Sequence, residues 1–215
     1  MKKIYFIVCC ILLAGASPTL ATDLVQEQLA QKSQVQVRDM LNAPGEGEYE
    51  QQLQQLMQQE QFSQTTRSKV RQILAKAESE NLPIEPFLDK VHEGIAKNVD
   101  QAALVEALNR VQQRYRYAYE KASEQTTDAR LRKHLADTIA AADAAGLKKE
   151  DCDAVMTALR TRTRTMAQNQ SQELALETFA TARLMSHSRV YSSTVSNVLV
   201  SALDNSYDTT DMNKM

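Results

Sequence analysis

Apolar side chains recur at helical spacing along the chain from residue 66 onward. In three stretches they follow an i, i+4, i+7 pattern, which places them on one face of a helix. These trios are Val70, Leu74 and Ala77, then Leu135, Ile139 and Ala142, and finally Val195, Leu199 and Ala202. We therefore predict an all-α fold, an antiparallel helical array whose helices bury these faces against one another.

The distances between the trios indicate an internal repeat. The second trio lies 65 residues after the first, and the third lies 60 residues after the second. A turn residue follows each trio, namely Asn81, Gly146 or Ser206. Asn and Gly suit the left-handed conformation that ends a helix. The pattern predicts a short solenoid of three-helix repeats. An irregular helical bundle with ordinary amphipathic spacing remains the alternative.

The repeat also predicts where the helices begin and end. The expected helices cover 66–80, 83–97, 100–122, 127–145, 148–167, 171–188 and 190–205, with a further start at 209. Pro83 and Pro86 are expected in the first turn of a helix, where proline is tolerated. Asp100 and Ser171 stand where an N-cap residue is expected.

The first 21 residues have the layout of a secretory signal peptide. Lys2 and Lys3 precede an apolar run from Ile4 to Leu13, and small residues lead to Ala21. We predict cleavage after Ala21, with Ala16 as the second choice. The apolar run is too short to anchor the chain in a bilayer. We therefore expect a periplasmic or secreted protein without a transmembrane anchor.

A glutamine-rich segment follows over residues 22–64, with 13 glutamines between Gln26 and Gln64. Its patchy apolar spacing predicts a helical or partly disordered N-terminal segment, and the stretch 49–64 is a candidate contact region. The helical repeat domain is expected over 65–215.

Charge and cysteine content exclude several classes of protein. The chain has 25 Lys+Arg and 27 Asp+Glu, so removal of Lys2 and Lys3 leaves 23 − 27 = −4. Nucleic-acid binders usually carry a basic excess, so we expect no nucleic-acid partner. Of three cysteines, Cys9 and Cys10 lie in the signal peptide, which leaves Cys152 without a disulfide partner. Cys152 occupies the repeat position of Phe87 and Met212, which predicts a buried packing role.

Catalytic and metal motifs are incomplete in this sequence. His92-Glu93 begins like a zinc-protease motif, but Ala96 stands where the second histidine would be. Asp151, Cys152 and Asp153 are consecutive, and consecutive helical side chains diverge by about 100°. No Gly-x-Ser-x-Gly motif or glycine-rich phosphate loop occurs. We expect a non-enzyme without metal or cofactor, with a carboxylate pair for glycoside hydrolysis as a minor alternative.

A basic run interleaved with tyrosines, over residues 110–119, is a second candidate region for partner contact. Tyr115 and Tyr119 are four residues apart and share a face, while Tyr117 lies on another. The plain interpretation is a solvated helix face in which Glu106 pairs with Arg110. The candidate partner-contact residues are Arg110, Arg114, Arg116 and Tyr117.

One short segment resembles a known group of proteins. Residues 82–97 hold Leu82-Pro83-Ile84-Glu85-Pro86 and Glu93-Gly94-Ile95-Ala96-Lys97. They resemble a stretch of uncharacterised exported bacterial all-helical proteins. The likeness covers under a tenth of the chain, and it implies an all-helical exported family without indicating an activity. A fainter likeness is to small periplasmic helical chaperones, whose helices open with a Leu-Thr-x-x-Gln motif; Leu147 to Asp151 has the position of this motif but lacks its Thr and Gln.

These observations together predict an exported cell-envelope protein with a non-enzymatic protein-binding or scaffolding role. Its expected partner is another envelope protein, and weak contact with a membrane surface is a further expectation. A periplasmic chaperone or stress-type helical protein is the first alternative. An envelope enzyme with an unrecognised site is the second alternative.

Overall fold

Eight helices build the part of the chain that the structure describes, and no strand occurs there. This computed structural model describes residues 51, 55–56 and 62–215. The helices are α1 (Gln64–Ser79), α2 (Glu85–Ala96), α3 (Gln101–Ser123), α4 (Ala129–Ala144), α5 (Lys149–Thr163), α6 (Gln168–His187), α7 (Ser192–Asp204) and α8 (Thr209–Asn213). The all-α prediction is confirmed. The predicted signal peptide and nearly all of the glutamine-rich segment lie outside the described residues.

The sequence places four residues at the starts of helices, and the structure confirms two of them. The carboxylate of Asp100 accepts hydrogen bonds from the backbone N–H groups of Ala102 and Ala103 at 2.9 and 3.2 Å, so its N-cap role is confirmed. Pro86 lies in the first turn of α2, as predicted. Pro83 does not, because α2 begins two residues after it, at Glu85.

The prediction for Ser171 as an N-cap is wrong. Helix α6 begins at Gln168, with Ala167 as its N-cap, so Ser171 lies within the first turn. The side chain of Ala167 accepts no capping hydrogen bond. The N–H of Ser171 donates to the backbone carbonyl of Ala167 over 2.9 Å. A helix can therefore begin without a polar cap, which the sequence pattern alone does not reveal.

The three turns at the predicted repeat positions share a positive φ angle and one backbone hydrogen-bond pattern. Asn81, Gly146 and Ser206 have positive φ angles of 53°, 115° and 64°. In each turn the next residue's N–H donates to the carbonyl five residues back, over 2.9–3.0 Å: Leu82 to Ala77, Leu147 to Ala142 and Tyr207 to Ala202. The same turn also follows α2 at Asn98 and α6 at Arg189. The turn is thus not confined to the repeat positions, and the solenoid stays a prediction.

The buried apolar side chains form two clusters that share α3. The N-terminal core runs from Val70 to Val111 and is built by α1, α2 and the first half of α3. The C-terminal core runs from Ala118 to Met212 and is built by the end of α3 and by α4–α8. Tyr115 and Tyr119 are half-buried and pack against both cores. A single helix and two tyrosine rings therefore join the two cores.

Helix α3 makes the central contacts of the fold, since it packs against α1, α2 and α4. Further along the chain, α4 packs on α6, α5 packs on α7, and α6 packs on both α7 and α8. Across the described ranges, we find no helix whose length and apolar character would allow it to cross a membrane.

Candidate functional site

A cleft of about 470 Å³ lies beside the α3 segment that joins the two cores. It is formed by the turn after α1, the last turns of α3 and the beginning of α4. Its lining residues are Glu80, Asn81, Leu82, Arg116, Tyr119, Glu120, Ser123 and Arg132. We call it the interlobe cleft. Its volume falls in the range of about 300–1,000 Å³ that is typical of ligand sites.

Local structure explains why these side chains converge. Arg116, Tyr119, Glu120 and Ser123 follow an i, i+3, i+4, i+7 pattern, so they share one face of α3. The left-handed turn at Asn81 ends α1 and brings the backbone to the edge of that face. The opposite wall depends on the start of α4.

Helix α4 begins at a well-formed N-cap that positions Arg132. The carboxylate of Asp128 accepts a hydrogen bond from the N–H of Leu131 over 2.9 Å. Arg132 follows directly, and its N–H donates to the carbonyl of Asp128 over 2.9 Å. The first turn of α4 thereby sets the direction of the Arg132 side chain toward the cleft.

The two arginines of the interlobe cleft are not committed to internal ion pairs. In the described part of the chain, no carboxylate lies within 4.0 Å of the guanidinium of Arg116 or Arg132. Arg116 and Glu120 are four apart, but an arginine N-terminal to a glutamate is the less favourable order for pairing. Two guanidinium groups are therefore available to an anionic group in the cleft.

The other polar groups of the cleft give it both signs of charge. One oxygen of Glu80, Oε2, accepts a hydrogen bond from the Gln112 side chain over 3.2 Å. Burial raises the pKa of Tyr119. Its hydroxyl is therefore protonated at neutral pH and can donate a hydrogen bond. The hydroxyl of Ser123 donates to the backbone carbonyl of Tyr119 over 2.7 Å. The cleft thus combines cations, carboxylates and hydroxyl groups.

Of the four predicted contact residues, only Arg116 lines the interlobe cleft. Arg110 is exposed and forms an ion pair with Glu106 on the same helix, as expected from their spacing. The Nε of Arg114 lies 3.8 Å from Oδ1 of Asp143. Burial raises the pKa of Asp143 despite this arginine, which indicates a loose ion pair. Arg110 and Arg114 are therefore oriented toward internal partners.

The fourth predicted residue, Tyr117, joins α3 to α5. Its hydroxyl oxygen lies 2.9 Å from Oδ1 of Asp153 and 3.1 Å from the carbonyl oxygen of Lys149. The ammonium groups of Lys121 and Lys149 lie 5.4 and 5.1 Å from the ring centroid, at cation–π distance. Tyr117 therefore has partners within the fold and does not line the interlobe cleft.

Arg132 lines the cleft but is not among the site residues predicted from the sequence. One local signal was available, because Arg130, Arg132 and Lys133 all fall at the beginning of a helix. The positive end of the helix dipole disfavours cations there. A basic cluster at a helix start is thus a reason to look for an anionic partner.

A second, apolar cavity lies at the C-terminal end. This apolar groove, of about 330 Å³, is formed mainly by the end of α6 and by α8. Its apolar lining includes Ala180, Leu184, Met185, Val190, Met212 and Met215. The Leu184 side chain is 62% exposed and Met215 is 49% exposed, so its rim presents apolar surface to solvent.

Cys152 is buried, as predicted from its repeat position. It is 2% exposed, and burial raises the pKa of its thiol to about 11. The flanking carboxylates diverge, since Asp151 accepts from Ser192 while Asp153 lies beside Tyr117 and Lys121. Over residues 51, 55–56 and 62–215, no group of three or more His, Cys, Asp or Glu side chains is placed to hold a metal ion.

Comparison with known proteins gives no assignment, because no family model, no curated protein and no solved structure matches this chain. The chain's own geometry is therefore the basis for proposing a function. Within the described residues, the interlobe cleft brings together four charged side chains that form no internal ion pair.

Proposed function

We propose that this protein is an exported, non-enzymatic protein-binding module of the cell envelope, and that another envelope protein binds in the interlobe cleft. The observation that supports this proposal is the pair Arg116 and Arg132, which face the cleft without a carboxylate partner in the described residues. Arg116 is exposed and Arg132 is partly exposed, so an anionic group from a second protein can reach both guanidinium groups and form charge-assisted hydrogen bonds with them.

The hydroxyl groups of the cleft support binding over catalysis. A nucleophilic serine needs a neighbouring base that takes its proton. Ser123 instead donates to the carbonyl of Tyr119, and burial raises the pKa of the Tyr119 hydroxyl away from the range of a general base. Arginine and tyrosine, which both line the cleft, are enriched in protein interfaces relative to the rest of the surface.

Site-specific photo-cross-linking tests partner binding. Full-length protein carries p-benzoylphenylalanine in place of Ser123, which lines the cleft, or of Ala154, which is exposed on α5. We expect an adduct of defined mass from Ser123 in intact cells, no such adduct from Ala154, and competition by unlabelled protein. Equal labelling from both positions, or none from Ser123, would contradict the proposal.

The proposed compartment has a separate test. The signal sequence over residues 1–21 predicts that the mature protein begins at Thr22. N-terminal sequencing of protein isolated from the cell envelope fraction is expected to begin there. Recovery of a chain that begins at Met1 in the cytoplasmic fraction would contradict export.

The apolar groove favours the chaperone as a second candidate function. Exposed Leu184 and Met215 lie on its rim, and contiguous exposed apolar surface is a feature of sites that bind unfolded chains. If this function is correct, the protein suppresses aggregation of a heat-denatured client, and Leu184→Ser weakens the suppression while Ala154→Ser does not. Equal suppression by both variants would contradict a role for the groove.

A further inference from the structure

The signs of the charges in the interlobe cleft indicate which kind of ligand would fit there. Arg116 and Arg132 contribute two positive charges, and Glu80 and Glu120 contribute two negative charges. None of these four side chains forms an ion pair within the described ranges of the chain. A ligand that satisfies all four groups must therefore carry both signs of charge.

The carboxylates of the cleft disfavour purely anionic ligands. A phosphate group carries close to two negative charges at neutral pH, so it would be repelled by Glu80 and Glu120 while it approached the arginines. A single carboxylate brings one charge and matches the planar guanidinium geometry. Glu80 keeps its second oxygen, Oε1, free of hydrogen bonds from described residues, and that oxygen can accept from an ammonium group.

We infer that the interlobe cleft recognises a mixed-charge peptide segment, whose carboxylate pairs with Arg116 and Arg132 and whose ammonium group pairs with Glu80 or Glu120. This inference rests on the proposed protein-binding function, and it names the chemistry of the partner. The Tyr119 side chain supplies a half-buried ring and a hydroxyl donor beside the arginines, and its ring also contacts both cores. A bound segment would thus contact a part of the fold that joins the two cores.

Fluorescence anisotropy with labelled octapeptides tests this chemistry on the mature protein. The peptides are alternating glutamate and lysine, all glutamate, all lysine and all glutamine. We expect the alternating peptide to bind most tightly, and its affinity to fall as salt is added. An all-glutamate peptide that binds equally well would overturn the role of Glu80 and Glu120.

Variants of single charges identify the contacts. Arg116→Gln and Arg132→Gln are each expected to weaken binding of the alternating peptide about tenfold or more, because each removes a charge-assisted hydrogen bond. Glu120→Gln is expected to weaken the alternating peptide more than the all-glutamate peptide. The matched control is Arg110→Gln, which removes an exposed arginine of α3 outside the cleft. Unchanged affinity in both arginine variants of the cleft would overturn the inference.

Two readouts separate this inference from the proposed function. If Arg116→Gln leaves the cross-link at Ser123 intact and the alternating peptide does not compete, partner binding stands and the peptide chemistry is wrong. If the peptide binds as described but no adduct forms in cells, the chemistry stands and the proposed partnership is wrong. Far-ultraviolet circular dichroism checks that each variant is folded, and Arg116→Lys, which keeps the charge, is expected to retain part of the affinity.

Discussion

The hydroxyl oxygen of Tyr117 lies 2.9 Å from Oδ1 of Asp153, and this hydrogen bond joins α3 to α5. The same carboxylate oxygen lies 2.9 Å from the ammonium of Lys121. This pairing raises the pKa of Lys121, because the carboxylate favours the charged ammonium. Lys121 also pairs with Glu124, which in turn pairs with Arg160 of α5 over 2.7 Å. A chain of polar contacts thus connects the two helices at their surface.

Tyr117→Phe removes the hydroxyl and keeps the ring between Lys121 and Lys149. We expect the free energy of unfolding to fall by about 1–2 kcal/mol, since one hydrogen bond to a charged group is lost. Urea unfolding followed by circular dichroism measures this change. Tyr191→Phe is the control, because Tyr191 is 83% exposed, and it is expected to change stability little. An equal loss in both variants would show that the contact with Asp153 contributes nothing.

The left-handed turns at Gly146 and Ser206 predict that removing glycine destabilises the first turn, whereas introducing glycine does not destabilise the second. Gly146 has φ 115°, a conformation that strains any side chain, while Ser206 adopts φ 64° with a side chain present. Gly146→Ala is expected to destabilise by about 1 kcal/mol or more, although no atom lies within 4 Å of the added Cβ. Ser206→Gly is expected to be neutral or stabilising by up to about 1 kcal/mol. Thermal unfolding measures both, and destabilisation of similar size in both would contradict the turn geometry.

Glu93 predicts a pH dependence of stability. Hydrogen bonds from Lys90, and then from Lys97, lower the pKa of its exposed carboxyl from 4.5 to about 2. Because the pKa is lower in the folded state, the ionised Glu93 carboxylate stabilises the fold. This stabilisation is fully present above about pH 4.5 and is lost as the pH falls from 4.5 toward 2. We expect Glu93→Gln to be less stable than the natural chain at pH 7, and the difference to disappear near pH 2.

The two chains are compared by urea unfolding at a series of pH values. Added salt is expected to reduce the difference at pH 7, since both partners of the carboxylate are partly exposed. Glu78→Gln on α1 is the control, because Glu78 is exposed and has no ion pair among residues 62–215. A difference for Glu93→Gln that is constant from pH 7 to pH 2 would contradict the ion pairs.

Cys152 predicts slow thiol chemistry in the folded protein. Its thiol is buried and has a pKa of about 11, so very little thiolate exists at pH 8. Iodoacetamide is expected to leave the Cys152 peptide unmodified in the native state and to modify it fully in urea, as followed by mass spectrometry. Rapid modification of the native protein at pH 8 would show that the thiol is accessible, which would contradict the buried position of Cys152.

Local sequence patterns predicted the helices and the turns at Asn81 and Gly146, although the starts of α2 and α6 differ from the prediction. The spacing of Leu135, Ile139 and Ala142 places all three on one face of α4, and all three are buried. Asn81 and Gly146 were recognised as turn residues because their types suit positive φ. Ser206 was identified only through the repeat, since serine has no such preference. Ser171 was misassigned as a cap because α6 begins without a capping side chain.

The candidate site was predicted only in part, since its residues come from separate elements. Arg116 was recognised within a basic run, but Arg132 lies on the next helix, beyond the turn that precedes α4. Tyr117 was predicted to contact a partner, yet its hydroxyl is hydrogen-bonded to Asp153 and Lys149 within the fold. Contacts of this kind depend on how α3 packs against α4 and α5, which no local pattern specifies.

The order of apolar and polar residues was enough to determine helix class, the approximate positions of the helices and the faces that become buried, because these follow from a periodicity within about two turns of chain. The division into two cores, the ion pair between Arg114 and Asp143, and the cleft that places Arg116 beside Arg132 arise only when distant helices pack. The physical reason is range: helix formation depends on neighbours three or four residues away, whereas the charge environment of a cleft depends on side chains brought together across tens of residues.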